Sequence, residues 1–214
     1  MKHALVVRGG WEGHVPVPAT DRCVPVLKEA GFEVTVSSSL DSYLDAGLLA
    51  DTDLIVQCWT MGTLSDEQTA GLSRAVRAGT GLAGWHGGIV DSFRGNPHYS
   101  LITGGQFLHH PRGFVSYPVR PVSSHPVVAG LRPFTVETEQ YYVQVDPGNE
   151  VLAVTDFVAD PDYPDMAGVV MPVTWVRRWG AGRVFITTIG HCLDDLKVPE
   201  VDTMIREGMS WATR

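Results

Sequence analysis

A chain of 214 residues, 44% hydrophobic and 19% charged, can bury one substantial core and gives no reason to invoke a second domain. Its net charge of −8, with arginines scattered rather than gathered in a stripe, argues against nucleic acid or an anionic membrane surface as a partner. Cys23, Cys58 and Cys192 are widely spaced and form no C-x-x-C pair, which fits reduced thiols in a cytoplasmic protein better than a disulfide framework.

The apolar run Ala4-Leu5-Val6-Val7 is cut off by Arg8. It is too short for a signal peptide or a membrane span, and predicts a buried strand over Ala4–Arg8. A Gly/Pro loop, Gly9–Pro18, leads to a helix pattern over Asp21–Ala30 closed by Gly31. Strands are expected at Glu33–Ser37 and Asp53–Cys58. Ser65-Asp66-Glu67-Gln68 reads as a capping box opening a helix that runs through Ala78, because Ser65 can accept the free amides while Gln68 reaches back. Gly81–Trp85 is the next strand. Such alternation predicts an α/β fold: a parallel sheet covered by helices, with ligands at the carboxyl ends of the strands. From Gly113 to Thr155 short extended runs alternate with Pro and Gly, which suggests an antiparallel extension in the second half. Strands Val169–Arg177 and Arg183–Thr188 flank a Gly180-Ala181-Gly182 turn, and Glu200–Ala212 closes the chain as a helix. No repeat or linker divides the chain, so residues 1–214 are expected as one domain.

The most pointed motif is Gly84-Trp85-His86-Gly87-Gly88. A sharp turn from a strand tip into a helix forces backbone angles that glycine tolerates, and enzymes use such an elbow to present a nucleophile. Here the apex is His86, neither Ser nor Cys, which argues against acyl chemistry. Other candidates stand where strand tips should be, each with a plainer packing or surface alternative. Gly9-Gly10-Trp11-Glu12-Gly13-His14 is not G-x-G-x-x-G, but its glycines let a ligand approach Trp11 and His14. Trp59 in Trp59-Thr60-Met61-Gly62 and Trp85 offer apolar faces suited to sugar rings. In His109-His110-Pro111, neighbours on an extended segment point opposite ways, and His110, held extended by the proline, is the favoured one. Glu137 and Glu139 share a strand face, with Tyr141 following, and His191 comes just past a buried strand through Gly190.

Taken together, Gly9–His14, Trp59–Gly62, Gly84–Gly88, Gly104–Pro111, Glu139–Tyr142 with Val145-Asp146-Pro147, Met171-Pro172-Val173 and Gly182–His191 resemble the trehalose-utilization (ThuA-like) family, in order over nearly the whole chain. The resemblance implies a flavodoxin-like fold of the class I glutamine amidotransferase-like kind and a link to bacterial sugar catabolism, often of keto-sugars. Against that wider group, the position of the nucleophilic cysteine is His86, and the acid expected two residues after the late histidine is Leu193. No Cys-His-Glu triad can form from these positions.

Two functions from different classes follow. In the first, the protein is an enzyme on a sugar or keto-sugar, an isomerase, lyase or hydrolase, with His86, His191 and Glu139 as acid–base residues and Trp11, His14, Trp59, Trp85, His110 and Tyr141 contacting substrate. A divalent metal (zinc, manganese or iron) on His86, His110 and His191 would assist, although no H-E-x-x-H spacing is present. In the second, the fold is a non-catalytic sugar-binding or regulatory module. Size and charge permit a homo-oligomer without requiring one.

Overall fold

The apolar runs become the inner strands of a nine-stranded sheet in this computed structural model, which describes residues 1–214. In chain order the elements are β1 (Lys2–Gly10), α1 (Pro16–Glu29), β2 (Phe32–Ser37), α2 (Ala46–Asp51), β3 (Leu54–Thr60), α3 (Asp66–Ala78), β4 (Gly81–Trp85) and α4 (Gly87–Val90). They continue with α5 (Pro97–Thr103), β5 (Gly105–His109), β6 (Phe114–Pro121), β7 (Phe134–Glu139), β8 (Tyr142–Val145), β9 (Glu150–Asp156), β10 (Val170–Trp179), β11 (Gly182–Thr187) and α6 (Pro199–Ala212).

The sheet order is β2-β1-β3-β4-β11-β10-β9-β6-β7. Neighbours from β2 to β11 pair in parallel, and those from β11 to β7 pair antiparallel, so the expected extension is present. Side-chain alternation divides the core between the two faces. Ala4, Val6, Trp85 and Phe185 pack on one side with residues of α1 and α6. Leu5, Val7, Leu82 and Ile186 pack on the other with residues of α3 and α5. Helices on both faces explain why β3 and β4 are buried almost throughout rather than alternating.

Several boundaries move for local reasons. α1 starts at Pro16, well inside the expected loop, because a proline in the first helical turn lacks only an amide that would be unbonded anyway. β1 runs on to Gly10, since its register with β3 continues as far as Thr60. The capping box forms as expected, Ser65 Oγ accepting from Gln68 N at 3.1 Å and Gln68 Oε1 from Ser65 N at 2.9 Å. The short helices α2 and α5 and the two-stranded β5–β8 ribbon were not expected.

One irregularity positions the site. β6 joins β9 through only two register pairs, Arg120↔Val154 and Pro121↔Ala153. The β6–β7 hairpin can therefore leave the plane of the sheet, and the Thr138 hydroxyl donates to Asp195 Oδ2 at 2.7 Å beyond β11. This carries Glu139, at the end of β7, onto the carboxyl edge of the parallel strands.

Candidate functional site

Four strands deliver one histidine-carboxylate cluster. His14 sits in a 3₁₀ turn after β1, His86 directly follows β4, His191 lies past β11, and Glu139 ends β7. One ligand atom from each of the four lies within 4.8 Å of all the others.

His86 occupies the apex of the elbow at φ 48 and ψ −144, a conformation that costs a non-glycine residue about 1–3 kcal/mol. Its surroundings over-determine that geometry. The backbone amide donates to Thr187 O at 2.7 Å, and ring Nδ1 bonds Thr188 O at 2.8 Å. Behind the elbow, buried Gln57 donates to Gly88 O at 3.2 Å and to Ser92 Oγ at 3.1 Å, and accepts from Tyr43 Oη at 2.9 Å. A side chain at 88 would lie only 2.9 Å from the Cys58 Cα, so Gly88 lets α4 press against β3.

A carbonyl only accepts, so Nδ1 carries the His86 proton and Nε2 presents a lone pair unless the ring is charged. That lone pair faces Glu139 Oε2 at 3.1 Å. Burial pushes the Glu139 carboxyl up, but the His191 and His86 rings against it outweigh this and hold it well below the usual carboxylate range. Burial depresses His86, partly opposed by Glu139. Burial, with His86 and His191 alongside, takes His14 down to about 3. Fixed by the Thr188 carbonyl, the buried His86 ring directs Nε2 at the Glu139 carboxylate, so a cation held between the two would meet a nitrogen and an oxygen donor.

His191 Nδ1 is 3.1 Å from the same Glu139 oxygen, yet out of line for a hydrogen bond and otherwise unpartnered. His14 Nε2 lies 4.0 Å from it, while His14 Nδ1 is fixed by Thr60 Oγ1 at 2.9 Å. Ligand atoms around a tetrahedral zinc stand about 3.3 Å apart. The donor atoms of His14, His86, Glu139 and His191 lie within 4.8 Å of one another, and their chemistry and the unpartnered His191 nitrogen suit a divalent ion. The Thr188 carbonyl and Thr60 hydroxyl supply the outer hydrogen bonds that orient ligating imidazoles.

Other groups edge the cluster. His110 Nε2 is 3.5 Å from the second Glu139 oxygen, and its Nδ1 bonds Arg112 O at 3.2 Å. Its side chain is 36% exposed, against 1% for His86. The Tyr141 ring lies over His86 with centroids 4.1 Å apart, and its hydroxyl is 3.5 Å from His14 Nε2. Burial, and next Glu139, push that hydroxyl far above the usual tyrosine range, so it stays protonated and able to donate.

The family model for ThuA, trehalose utilisation, matches residues 3–212. The chain belongs to the ThuA family. A ThuA-like protein from Parabacteroides merdae shares 16% identity and superposes with a TM-score of 0.79 over 99% of this chain and 89% of its own. Another from Bacteroides uniformis gives 15% and 0.77, over 99% and 91%. A cytoplasmic protein from Salmonella typhimurium gives 12% and 0.68, with both chains covered completely. These likenesses show the fold. No curated protein matches the chain in sequence.

In this ThuA-family chain the structure brings together His14, His86, Glu139, Tyr141 and His191, with His110 at the edge. The placements differ in part from those expected. His110, expected among metal ligands, faces the second oxygen of Glu139, and His14, expected to contact substrate, lies with His86 and His191 about the first. Trp85 is 2% exposed and belongs to the core with Ala19, Cys23 and Met209 on the α1 and α6 side of the sheet, away from the histidines. Trp59 is half-buried, its ring taken up beside Gly9 and Gly62. Trp11, by contrast, is 48% exposed and meets His14 edge-on at 4.8 Å. Glu137 points to solvent.

Nothing in the sequence marks Phe114, which is 53% exposed and edge-on to His191 at 4.8 Å. Asp195 was also missed. Buried, it accepts from the backbone amides of His191 at 2.8 Å and Cys192 at 3.3 Å, thus holding the loop rather than the imidazole. No helix in the chain is long and apolar enough to cross a membrane.

Proposed function

We propose that this ThuA-family protein is a metal-dependent enzyme acting on a sugar or keto-sugar in the cytoplasm by histidine–carboxylate chemistry. The observation carrying this reading is the His86 Nε2 lone pair held 3.1 Å from an ionised Glu139, with His14 and His191 converging on the same oxygen. His14, His86, His191 and Glu139 would hold the ion, which when bound supplies Lewis acidity toward a substrate oxygen. The family description, trehalose utilisation, supports the substrate class.

The residues divide the work by exposure. His86 is fully buried and serves to hold rather than to touch substrate. Tyr141 keeps its proton and can donate to an oxygen on which charge develops. His110, on the outer oxygen of Glu139 and open to solvent, stands between the site and water. A carbonyl acidifies the neighbouring C–H bonds of a keto-sugar, and proton removal there leads to isomerisation or elimination. Trp11, edge-on to His14, and Phe114, edge-on to His191, present exposed rings suited to the apolar face of a pyranose.

Elemental analysis of protein purified without chelators tests the reading. One equivalent of zinc, manganese or iron is expected, falling below a tenth of that in His86→Ala and in Glu139→Gln, with turnover of a keto-disaccharide lost in both. Metal absent from the native protein and not taken up on titration would refute it. Metal bound normally, with saccharide binding but no turnover of any keto-sugar, would favour a binding module.

A further inference from the structure

A cavity of about 530 Å³ opens between α5 and the outer face of the β5–β8 ribbon, away from the histidines. Gln106 and Gln144 are register partners on that ribbon and both line the cavity. Gln106 Oε1 accepts from the Ser100 hydroxyl at 3.1 Å, which leaves its amide nitrogen and the Gln144 carboxamide free to meet a ligand. Phe107 and Val143, the next register pair, are buried.

Charge narrows the ligand class. Arg94, which also lines the cavity, makes a bidentate pair with buried Asp91 through Nε and Nη2, leaving Nη1 outward. Asp146 is matched by Arg177 at 3.5 Å. With both charges neutralised, the cavity suits neither phosphate nor a carboxylate ligand. Two adjacent carboxamides, each with donors and an acceptor, match the alternating donors and acceptors of a vicinal diol. Leu101, 49% exposed at the rim, offers an apolar contact for the C–H face of a ring.

We propose that this cavity is a carbohydrate subsite separate from the histidine cluster, holding one saccharide unit by vicinal hydroxyls on Gln106, Gln144 and Arg94. It rests on the sugar reading above for its ligand class, and is independent of any metal. Arg94 also links it to the cluster. Its guanidinium lies 5.2 Å from the Phe107 ring centroid, and Phe107 packs against Tyr141 at 4.4 Å and His110 at 5.8 Å.

Saturation-transfer NMR with trehalose as the probe tests the subsite on the full chain, in wild type, the Gln106→Ala/Gln144→Ala double variant and His86→Ala. The expected result is binding to wild type and to His86→Ala, and apparent affinity about tenfold weaker in the glutamine variant. The glutamine variant should keep its melting temperature and its metal content. Undiminished binding in the glutamine variant overturns the proposal, as does displacement of trehalose by inorganic phosphate. If binding is lost in His86→Ala and kept in the glutamine variant, the saccharide sits at the cluster: the subsite falls and the enzyme reading stands. If wild type binds no saccharide, the subsite falls as well, while metal content still reports on the cluster.

Discussion

Gly87→Ala isolates the packing that brings His14 into the cluster. Gly87 is helical, so a methyl group brings no backbone strain, and alanine is favoured over glycine in a helix by about 1 kcal/mol. The obstacle lies across the gap. A Cβ at 87 would fall within van der Waals contact of His14 Cε1 and Nδ1, and 3.1 Å from the Tyr141 hydroxyl. Ordinary carbon contacts lie near 3.5–4.0 Å, so the imidazole must retreat by more than about 1 Å. That movement breaks the 2.9 Å contact with Thr60 Oγ1 and withdraws Nε2 from Glu139. Overpacking costs roughly 1–3 kcal/mol and the lost hydrogen bond about 1 kcal/mol. Against the propensity gain, the net is a destabilisation of about 2 kcal/mol, or roughly 4–8 °C in melting temperature for a chain of this length. Metal affinity should fall about 10–100-fold, the range found when a ligand loses its orientation. The assay is a double-mutant cycle by thermal melting. In a His14→Ala background the methyl group meets no ring, so Gly87→Ala should there be neutral or slightly stabilising, with a coupling energy of about 2–3 kcal/mol. Additive effects of the two substitutions would refute the steric argument.

The remaining predictions bear on protonation, the loop and the core. For metal-free protein, His14 titrates near 6.5 unfolded and about 3 folded, so between these values the unfolded chain binds more protons. Stability should then decline as pH falls from about 6.5 toward 3, with a shallower decline in His14→Gln, as measured by melting temperature against pH. Asp195→Ala strands the Thr138 hydroxyl and two backbone amides, and should cost about 3 kcal/mol in a urea titration, with Asp195→Asn milder. Trp85→Ala should cost about 3–5 kcal/mol while leaving metal content intact, because its ring belongs to the core beneath α1 and α6. Trp11→Ala should do the reverse, leaving stability within about 0.5 kcal/mol of wild type and weakening saccharide binding.

How far the site could be read in advance depended on whether its cause was local. The elbow was legible because glycines on both sides of His86 leave little else for that segment to do, and the positive φ at His86 follows from the same neighbours. Its partner His191 was legible for a similar reason, since Gly190, at φ 129, turns the chain just past a buried strand. Glu139 could be named, but its place could not. It reaches the cluster only because the β6–β7 hairpin, tied to β9 by two register pairs, lies back across the sheet edge. His14 was underrated because its place depends on the missing side chain at Gly87, a contact between positions far apart in the chain.

Trp85 was misjudged for a reason the sequence already contained. Consecutive residues at a strand tip face opposite sides of the sheet. Once His86 is assigned to the ligand side, Trp85 must point into the core behind it, where it is found with α1 and α6. The same parity separates Phe107, buried toward Tyr141, from Gln106, facing the outer cavity. Asp195 shows where parity stops helping. Leu193 stands two residues beyond His191, where an acid would orient the ring, and the acid four residues on instead fixes the loop through backbone amides. With no carboxylate directed at the far side of the imidazole and no cysteine at the elbow, His191 is not arranged as the base of a nucleophile. Its Nδ1 is turned inward and unpartnered, 3.1 Å from Glu139 Oε2. The positive φ at His86 aims Nε2 at the Glu139 carboxylate, and His14 and His191 converge on the same oxygen.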